Sequence, residues 1–123
     1  MLTNRQLFLL HLGQTSVAPM MLEIVRAEGS YMYAPDGKKY LDLISGVCVS
    51  NTGHCHPKVV EAVKNQVDLY MHLMVYGEFV QSPQVKYAER LTEILPPVLN
   101  SCYFVNSGSE AVEGALKLSL IHI

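Results

Sequence analysis

Five residues near the end of the chain, Asn106 to Glu110, have the types and spacing of an anion-binding turn. Ser107 and Glu110 stand three residues apart, as in a capping box, where each side chain accepts the other residue's backbone N–H. Gly108 allows a ligand to approach the backbone closely. The N–H groups of Gly108 and Ser109 would point outward at the positive end of the helix dipole, which favours an anion. These residues alone leave two interpretations open, a phosphate site and a capped helix without a ligand.

A second group of chemistry-bearing residues, His54, Cys55 and His56, does not favour a metal site. Zinc ligands are usually separated by two to five residues, and adjacent side chains of an extended segment point to opposite faces. We interpret the segment as a loop shaped by Gly53 and Pro57, in which the histidines bond nearby backbone. No metal is therefore expected.

Composition bounds the class of protein. The 123 residues are 50% hydrophobic and 16% charged, enough for one modest domain with a core, and the net charge of −2 gives no reason to expect a nucleic-acid partner. No apolar run approaches the roughly eighteen residues of a membrane span, and the short run Leu7 to Leu10 makes a poor secretion signal. Three cysteines cannot all pair within one chain, which favours reduced thiols and a cytoplasmic location.

The first elements that must position these residues are a helix and a hairpin. Thr3 and Gln6 have the spacing of a capping box, and Gly13 is placed to end the short helix that they begin. Between residues 22 and 43 the pattern changes to short β-like runs. Pro35-Asp36-Gly37 lies between two runs rich in tyrosine and predicts a hairpin, whose tyrosines we expect to pack on the sheet.

The later elements alternate between helix and strand. Pro57 suits the start of a helix, Ser82-Pro83 predicts an N-cap and first turn, and Pro96-Pro97 ends that second helix. Residues 101–105, "SCYFV", predict a strand buried on both faces, with Cys102 as a small core residue. A last helix follows from Ser107, with Glu113 and Lys117 as a solvated pair. The order predicts an α/β protein, in which a buried strand entering a helix is half of a βαβ unit.

Four stretches in order resemble the N-terminal part of class III, pyridoxal-phosphate-dependent aminotransferases: "GSYMYAPDGKKYLDLISGV", "NTGHCHPKVVEAVKNQ", "SPQVKYAERLTEILP" and "YFVNSGSEAVEGALKL". The family includes acetylornithine, ornithine and 4-aminobutyrate aminotransferases, and the resemblance covers about residues 25–117. It implies an incomplete fold type I transferase. Residues 1–55 would be an N-terminal segment of helix and antiparallel strands of the small domain, and residues 56–117 the start of the large, parallel-sheet domain that binds the cofactor.

The resemblance also implies an activity and a site. The full-length protein would transfer an amino group between an amino acid or amine and a keto acid, typically 2-oxoglutarate, and would be a homodimer that binds neither nucleic acid nor membrane. Pyridoxal phosphate would bind by its phosphate at the turn Ser107, Gly108 and Ser109. Val47 matches a position near the substrate, where ornithine aminotransferases tend to carry tyrosine and acetylornithine enzymes a small aliphatic residue, which favours the latter.

One family feature has no counterpart in this chain. The cofactor-binding lysine lies beyond the matched region, and none of the six lysines fits its motif, so we name no catalytic residue and expect this polypeptide alone to be inactive. Two alternatives stay open. The first is another pyridoxal-phosphate enzyme on the same scaffold, an aminomutase or a decarboxylase, and the second, if the chain is complete, is a small non-catalytic binding module.

The last six residues, "LSLIHI" at 118–123, depart from the family's helix pattern. They read like the translation of a transposase-based sequencing adapter, so we expect them to be non-native, with a natural splice or truncation form as the alternative. Helix faces without a sheet to cover them predict low solubility or self-association of the isolated chain.

Overall fold

The computed structural model describes residues 1–74 and 77–121. Helices and a small sheet alternate along these residues, so the predicted α/β composition is confirmed. The chain divides into two compact units, Met1–His72 and Leu73–Ile123. The boundary expected between residues 55 and 56 stays a prediction, because compact units of this chain need not coincide with the domains of a longer protein.

The first unit opens with the predicted capped helix, α1 (Asn4–His11). The Thr3 N–H donates to Gln6 Oε1 at 2.8 Å, and the Gln6 N–H donates to Thr3 Oγ1 at 3.3 Å. The helix stops just before the expected Gly13, because Leu12 at the C-cap already has extended backbone. The Asn4 side chain donates to Glu23 at 2.9 Å, which ties the helix to the segment that leads into the sheet.

Three short antiparallel strands follow in the order β1 (Arg26–Glu28), β2 (Tyr31–Tyr33) and β3 (Lys39–Leu41). The predicted hairpin is confirmed between β2 and β3, where Gly37 supplies the positive φ of 82° that the turn requires. Its tyrosines interact with cations, since Lys39 Nζ lies 3.6 Å from the centre of the Tyr31 ring.

A left-handed turn and a helix complete the first unit. The turn, α2 (Ser45–Cys48), was not predicted, and its four residues have φ between 50° and 65°. After a loop that returns to the sheet, α3 (Pro57–Leu69) begins at Pro57 as the sequence predicts. Proline fits there because the first helical N–H has no intrahelical partner.

The second unit begins with α4 (Ser82–Ile94), which has Gln81 rather than the predicted Ser82 at its N-cap. Gln81 has extended backbone, and its side chain donates to the Met74 carbonyl at 2.7 Å instead of capping the helix. Ser82 is therefore already helical. The helix ends before Pro96, as expected.

Residues 101–105 form no strand in the structure, so that prediction is wrong. The segment leads from α4 to α5 (Gly108–Leu120) without forming a strand, and Tyr103 is 85% exposed. A strand is defined by hydrogen bonds to a neighbour, and the second unit offers none among its described residues. Phe104 stacks on Tyr87 of α4 instead, with ring centres 5.7 Å apart. Cys102 is half-buried rather than a core residue.

Burial is sparse throughout the described residues. Ala34 and Gln81, each 8% exposed, are the buried residues, whereas apolar side chains of every long helix face solvent. Within residues 1–74 and 77–121, no helix has the length and apolar character needed to cross a bilayer. The local hydrogen bonds of caps, hairpin and loops, rather than a core, therefore define how the candidate residues are placed.

Candidate cofactor and substrate site

The turn that precedes α5 is a complete capping box. Ser107 has extended backbone (φ −143°, ψ 158°), and its Oγ accepts the Glu110 N–H at 3.2 Å. Glu110 Oε2 in return accepts the N–H of Ser107 at 3.1 Å and that of Asn106 at 2.7 Å. The predicted cap is confirmed, with one additional bond to Asn106.

Two backbone donors are left at this helix start. The first N–H groups of a helix have no intrahelical acceptor, and the capping box takes those of Asn106, Ser107 and Glu110. In the described part of the chain, no acceptor is recorded for the N–H of Gly108 or Ser109, and both residues are exposed. Space is open beside Gly108, where an added Cβ would meet no atom within 4 Å. The donor set suits an anion with several oxygens, such as a phosphate.

The Glu110 carboxylate limits where that anion can sit. It carries a negative charge in the first turn of α5 and already occupies two amides. A phosphate would therefore use the N–H groups of Gly108 and Ser109 and the Ser109 hydroxyl, with Glu110 as a neighbour of the same sign. The fit is chemically sound for a phosphate end group, and the rest of a cofactor would need residues beyond this turn.

Lys117 lies on the same helix but is paired. Its Nζ is 2.8 Å from Glu113 Oε1, and both side chains are well exposed, at 73% and 64%. The expected solvated i,i+4 pair is confirmed. Such an exposed pair contributes little to stability.

Val47 lies in the first unit, in the left-handed turn α2, and is 80% exposed. Its φ of 62° and ψ of 58° are unusual for a β-branched residue, whose side chain normally excludes the left-handed region. The structure thus brings Ser107, Gly108 and Ser109 together in one turn and places Val47 in the other unit.

The loop histidines differ from the expectation that they bond nearby backbone. His54 Nε2 lies 2.7 Å from Asp42 Oδ2, twelve residues earlier, and His56 Nδ1 is buried with no partner among the described residues. No group of three or more potential metal ligands occurs in the part of the chain that the structure describes.

Sequence reasoning missed Asp42. Its Oδ1 accepts the N–H groups of Ile44 at 3.0 Å and Ser45 at 2.9 Å, and its side chain is only 7% exposed. The hydrogen bond from Ser45, followed by that from His54, lowers the Asp42 pKa below its ordinary value. An available signal was an aspartate three residues before a serine, the spacing of a side-chain cap on a turn.

The comparison with known proteins shows the family of this chain. Residues 12–122 match the sequence profile of "Aminotransferase class-III". This match covers most of the chain, so the chain belongs to the class III aminotransferase family, as the resemblance predicted.

Two curated relatives of this chain are named acetylornithine aminotransferase. The acetylornithine aminotransferase of Methanocaldococcus jannaschii is 45% identical over 96 residues, which cover 78% of this chain and 23% of the relative. The acetylornithine aminotransferase of Bacillus subtilis is 45% identical over 98 residues, covering 80% and 24% respectively. The chain therefore spans about a quarter of the length of each of these two relatives.

Solved structures agree on the fold. The adenosylmethionine-8-amino-7-oxononanoate aminotransferase of Methanocaldococcus jannaschii superposes with a TM-score of 0.83 at 29% identity, over 94% of this chain and 28% of that one. The taurine:2-oxoglutarate aminotransferase of Bifidobacterium kashiwanohense, solved with pyridoxal phosphate and glutamate, gives 0.78 at 28% identity, over 98% and 28%. The described helices and sheet are thus part of the α/β fold of class III aminotransferases.

Proposed function

We propose that the full-length protein transfers an amino group from an amino acid or amine to a keto acid, with pyridoxal phosphate as cofactor. The observation that carries this proposal is the family match over residues 12–122, together with an open pair of N–H donors at the start of α5. The cofactor would supply the electron sink that makes amino-group transfer possible.

The cofactor's phosphate would bind at Ser107, Gly108 and Ser109. Gly108 and Ser109 contribute backbone N–H groups, and Ser109 adds its hydroxyl. Ser107 acts by holding the turn, because its Oγ and N–H are both used in the capping box with Glu110. The helix dipole of α5 favours the negative charge that these donors would receive.

N-Acetylornithine is the first amino donor to test and 2-oxoglutarate the first acceptor. Relatives named acetylornithine aminotransferase are 39–45% identical to the chain. The small aliphatic Val47 supports the same choice, because a tyrosine at this position is typical of ornithine aminotransferases. Val47 would line the donor site and leave room for the acetyl group.

The full-length protein would act as a homodimer in the cytoplasm. The location is supported by the number of cysteines, because Cys48, Cys55 and Cys102 cannot all pair within one chain. Exposed apolar helix faces within each unit offer surface for the remainder of the chain and for a second subunit.

The direct test is an amino-transfer assay on the full-length protein. It is loaded with pyridoxal phosphate, supplied with N-acetylornithine, ornithine or 4-aminobutyrate in turn, and monitored for glutamate formed from 2-oxoglutarate. Glutamate formation with at least one donor is expected. Cofactor binding without glutamate from any donor would contradict the proposal.

The same assay on residues 1–123 alone should give no glutamate. None of its lysines fits the family motif for the residue that binds the cofactor covalently. Transamination by this polypeptide would show that the assignment of its lysines is wrong.

A further inference from the structure

The left-handed turn α2 holds four consecutive residues in a conformation that is costly for L-amino acids. Ser45, Gly46, Val47 and Cys48 have φ of 50°, 59°, 62° and 65°. Each non-glycine residue costs roughly 1–2 kcal/mol in this region, and usually only single residues adopt it. A turn of this kind persists when surrounding contacts determine it, and such strain concentrates where a protein positions a ligand.

Asp42 supplies the contacts at the start of the turn. One carboxylate oxygen accepts the N–H of Ile44 at 3.0 Å and of Ser45 at 2.9 Å, so it fixes the two residues that lead into Val47. The other oxygen lies 2.7 Å from His54 Nε2. The Asp42 N–H itself donates to the Ser30 carbonyl at 2.9 Å, which anchors the carboxylate's backbone next to the sheet.

His54 is held as firmly as Asp42. Its N–H donates to the Gly29 carbonyl at 2.7 Å, and its carbonyl accepts the Gly29 N–H at 3.0 Å. The neighbouring Gly53 approaches Gly29 so closely that an added Cβ would lie 3.2 Å from Gly29 Cα. A chain of hydrogen bonds therefore runs from the Gly29 backbone through the side chains of His54 and Asp42 to the turn that carries Val47.

We propose that Asp42 and His54 are positioning residues that hold the left-handed turn so that Val47 faces the amino donor and sets donor affinity and donor choice. This inference rests on the proposed function, because it takes Val47 as a donor-site residue. Asp42 and His54 touch neither donor nor cofactor. They act through the backbone of the turn.

The experiment uses the full-length protein loaded with pyridoxal phosphate. Asp42→Ala removes all three hydrogen bonds to the carboxylate, whereas Asp42→Asn keeps an oxygen that can accept the N–H groups of Ile44 and Ser45. His54→Ala removes only the hydrogen bond between His54 and Asp42. For Asp42→Ala we expect kcat/KM for N-acetylornithine to fall about tenfold to a hundredfold, mainly through KM, as misplacement of a binding residue does. Smaller losses in the same direction are expected for Asp42→Asn and His54→Ala.

A matched control exists in the hairpin. Asp36 Oδ1 accepts the Lys38 N–H at 3.0 Å, so Asp36→Ala removes the same kind of turn bond at a site distant in sequence from Val47. This variant should keep both donor KM and cofactor affinity. The discriminating readouts are the cofactor dissociation constant and the ratio of kcat/KM for N-acetylornithine to that for ornithine. Asp42→Ala should change the ratio and leave the cofactor constant unaltered, and His54→Gln, which retains a donor, should restore part of the loss in His54→Ala.

Three outcomes overturn the inference. One is an unchanged donor KM in both Asp42→Asn and His54→Ala, which also serve if Asp42→Ala fails to fold. Another is an equal loss of cofactor and donor affinity, which would mean a general structural role. The third is a wild-type protein that makes no glutamate from any donor, and this alone would also remove the proposed function.

Discussion

Two turns of this chain use side-chain oxygens to hold backbone N–H groups, and they differ in what they leave over. Around Asp42 both carboxylate oxygens are occupied and the side chain is 7% exposed. Around Ser107 the side chains are exposed, and two N–H groups at the helix start have no recorded acceptor in the described residues. In the first turn, both oxygens of the Asp42 carboxylate are used by partners within its own unit. The second offers donors to a ligand.

The largest effect should come from adding a negative charge to the turn before α5, which offers the N–H groups of Gly108 and Ser109 to a ligand. Ser109→Asp in the full-length protein should lower pyridoxal phosphate affinity about a hundredfold or more, because like charges placed together cost several kcal/mol. Absorbance titration of the apoenzyme with pyridoxal phosphate measures this affinity. A carboxylate in the first turn favours the helix itself, so misfolding would not explain the loss.

Ser82→Asp is the matched control for that experiment. Ser82 is also exposed and lies at the first position of helix α4, so the same charge is added at a comparable place. Cofactor affinity should stay unchanged in this variant. An equal loss in both variants would mean that Ser109 has no special relation to the phosphate.

A smaller effect, on stability, is expected in the first unit, where the backbone of Gly53 approaches that of Gly29. Gly53 and Gly37 share a φ of 82°, but only at Gly53 would a Cβ meet another backbone, 3.2 Å from the Gly29 carbonyl oxygen. Alanine at Gly37 should cost about 1–2 kcal/mol from its left-handed φ alone. Alanine at Gly53 should cost about 1–3 kcal/mol more, since the contact is overpacked. Native-state amide exchange in the full-length protein compares the two, and equal costs would contradict the close approach.

The two capping boxes separate stability from binding. Thr3→Ala at α1 and Ser107→Ala at α5 should each destabilise their helix by about 1 kcal/mol, the usual value of a serine or threonine cap. Exchange of the Gln6 and Glu110 amides, the N–H groups that these caps accept, measures both. Only Ser107→Ala should also weaken pyridoxal phosphate. A loss of cofactor affinity in Thr3→Ala would remove the contrast.

Acid should loosen the Asp42 turn locally. Its pKa is lowered from the ordinary 3.8, first by the Ser45 N–H and then by His54. The stabilisation is therefore complete above pH 3.8 and is lost as the pH falls through the lower folded-state pKa. The Ile44 and Ser45 amides should lose exchange protection in that range, and Asp42→Asn should abolish this pH dependence. Protection that falls only near neutral pH would point to another group.

The smallest effect concerns the exposed Glu113–Lys117 pair. Lys117→Ala should change the stability of the α5 segment by less than about 0.5 kcal/mol, since solvent screens such pairs. Thermal denaturation in low and in high salt tests this. A larger, salt-dependent loss would mean that the pair is shielded in the full-length protein.

Local chemistry explains what the sequence could predict. Four predicted features depend on residues only a few positions apart, and the structure contains all four. They are the capping box of Thr3 with Gln6, the capping box of Ser107 with Glu110, the turn at Gly37 and the start of α3 at Pro57. Those determinants act within one turn of backbone.

The misses depend on distant partners. The run at 101–105 needs neighbouring strands before it can pair, and those are absent from the described part of the second unit. Asp42 and His54 meet across twelve residues, which no periodic pattern predicts. The left-handed turn also contradicts local preference, because a β-branched residue such as Val47 rarely adopts a positive φ. Its conformation is held by hydrogen bonds to Asp42, which lies outside the turn.

The bridge between Gly29 and His54 also bears on how the protein is made. Every contact that closes this loop lies within the first 72 residues. Chains leave the ribosome amino terminus first, at about 5–20 residues per second, so this closure can form seconds before residues 101–105 emerge. The Gly29–His54 loop would then be closed on the nascent chain while apolar side chains of both units still face solvent.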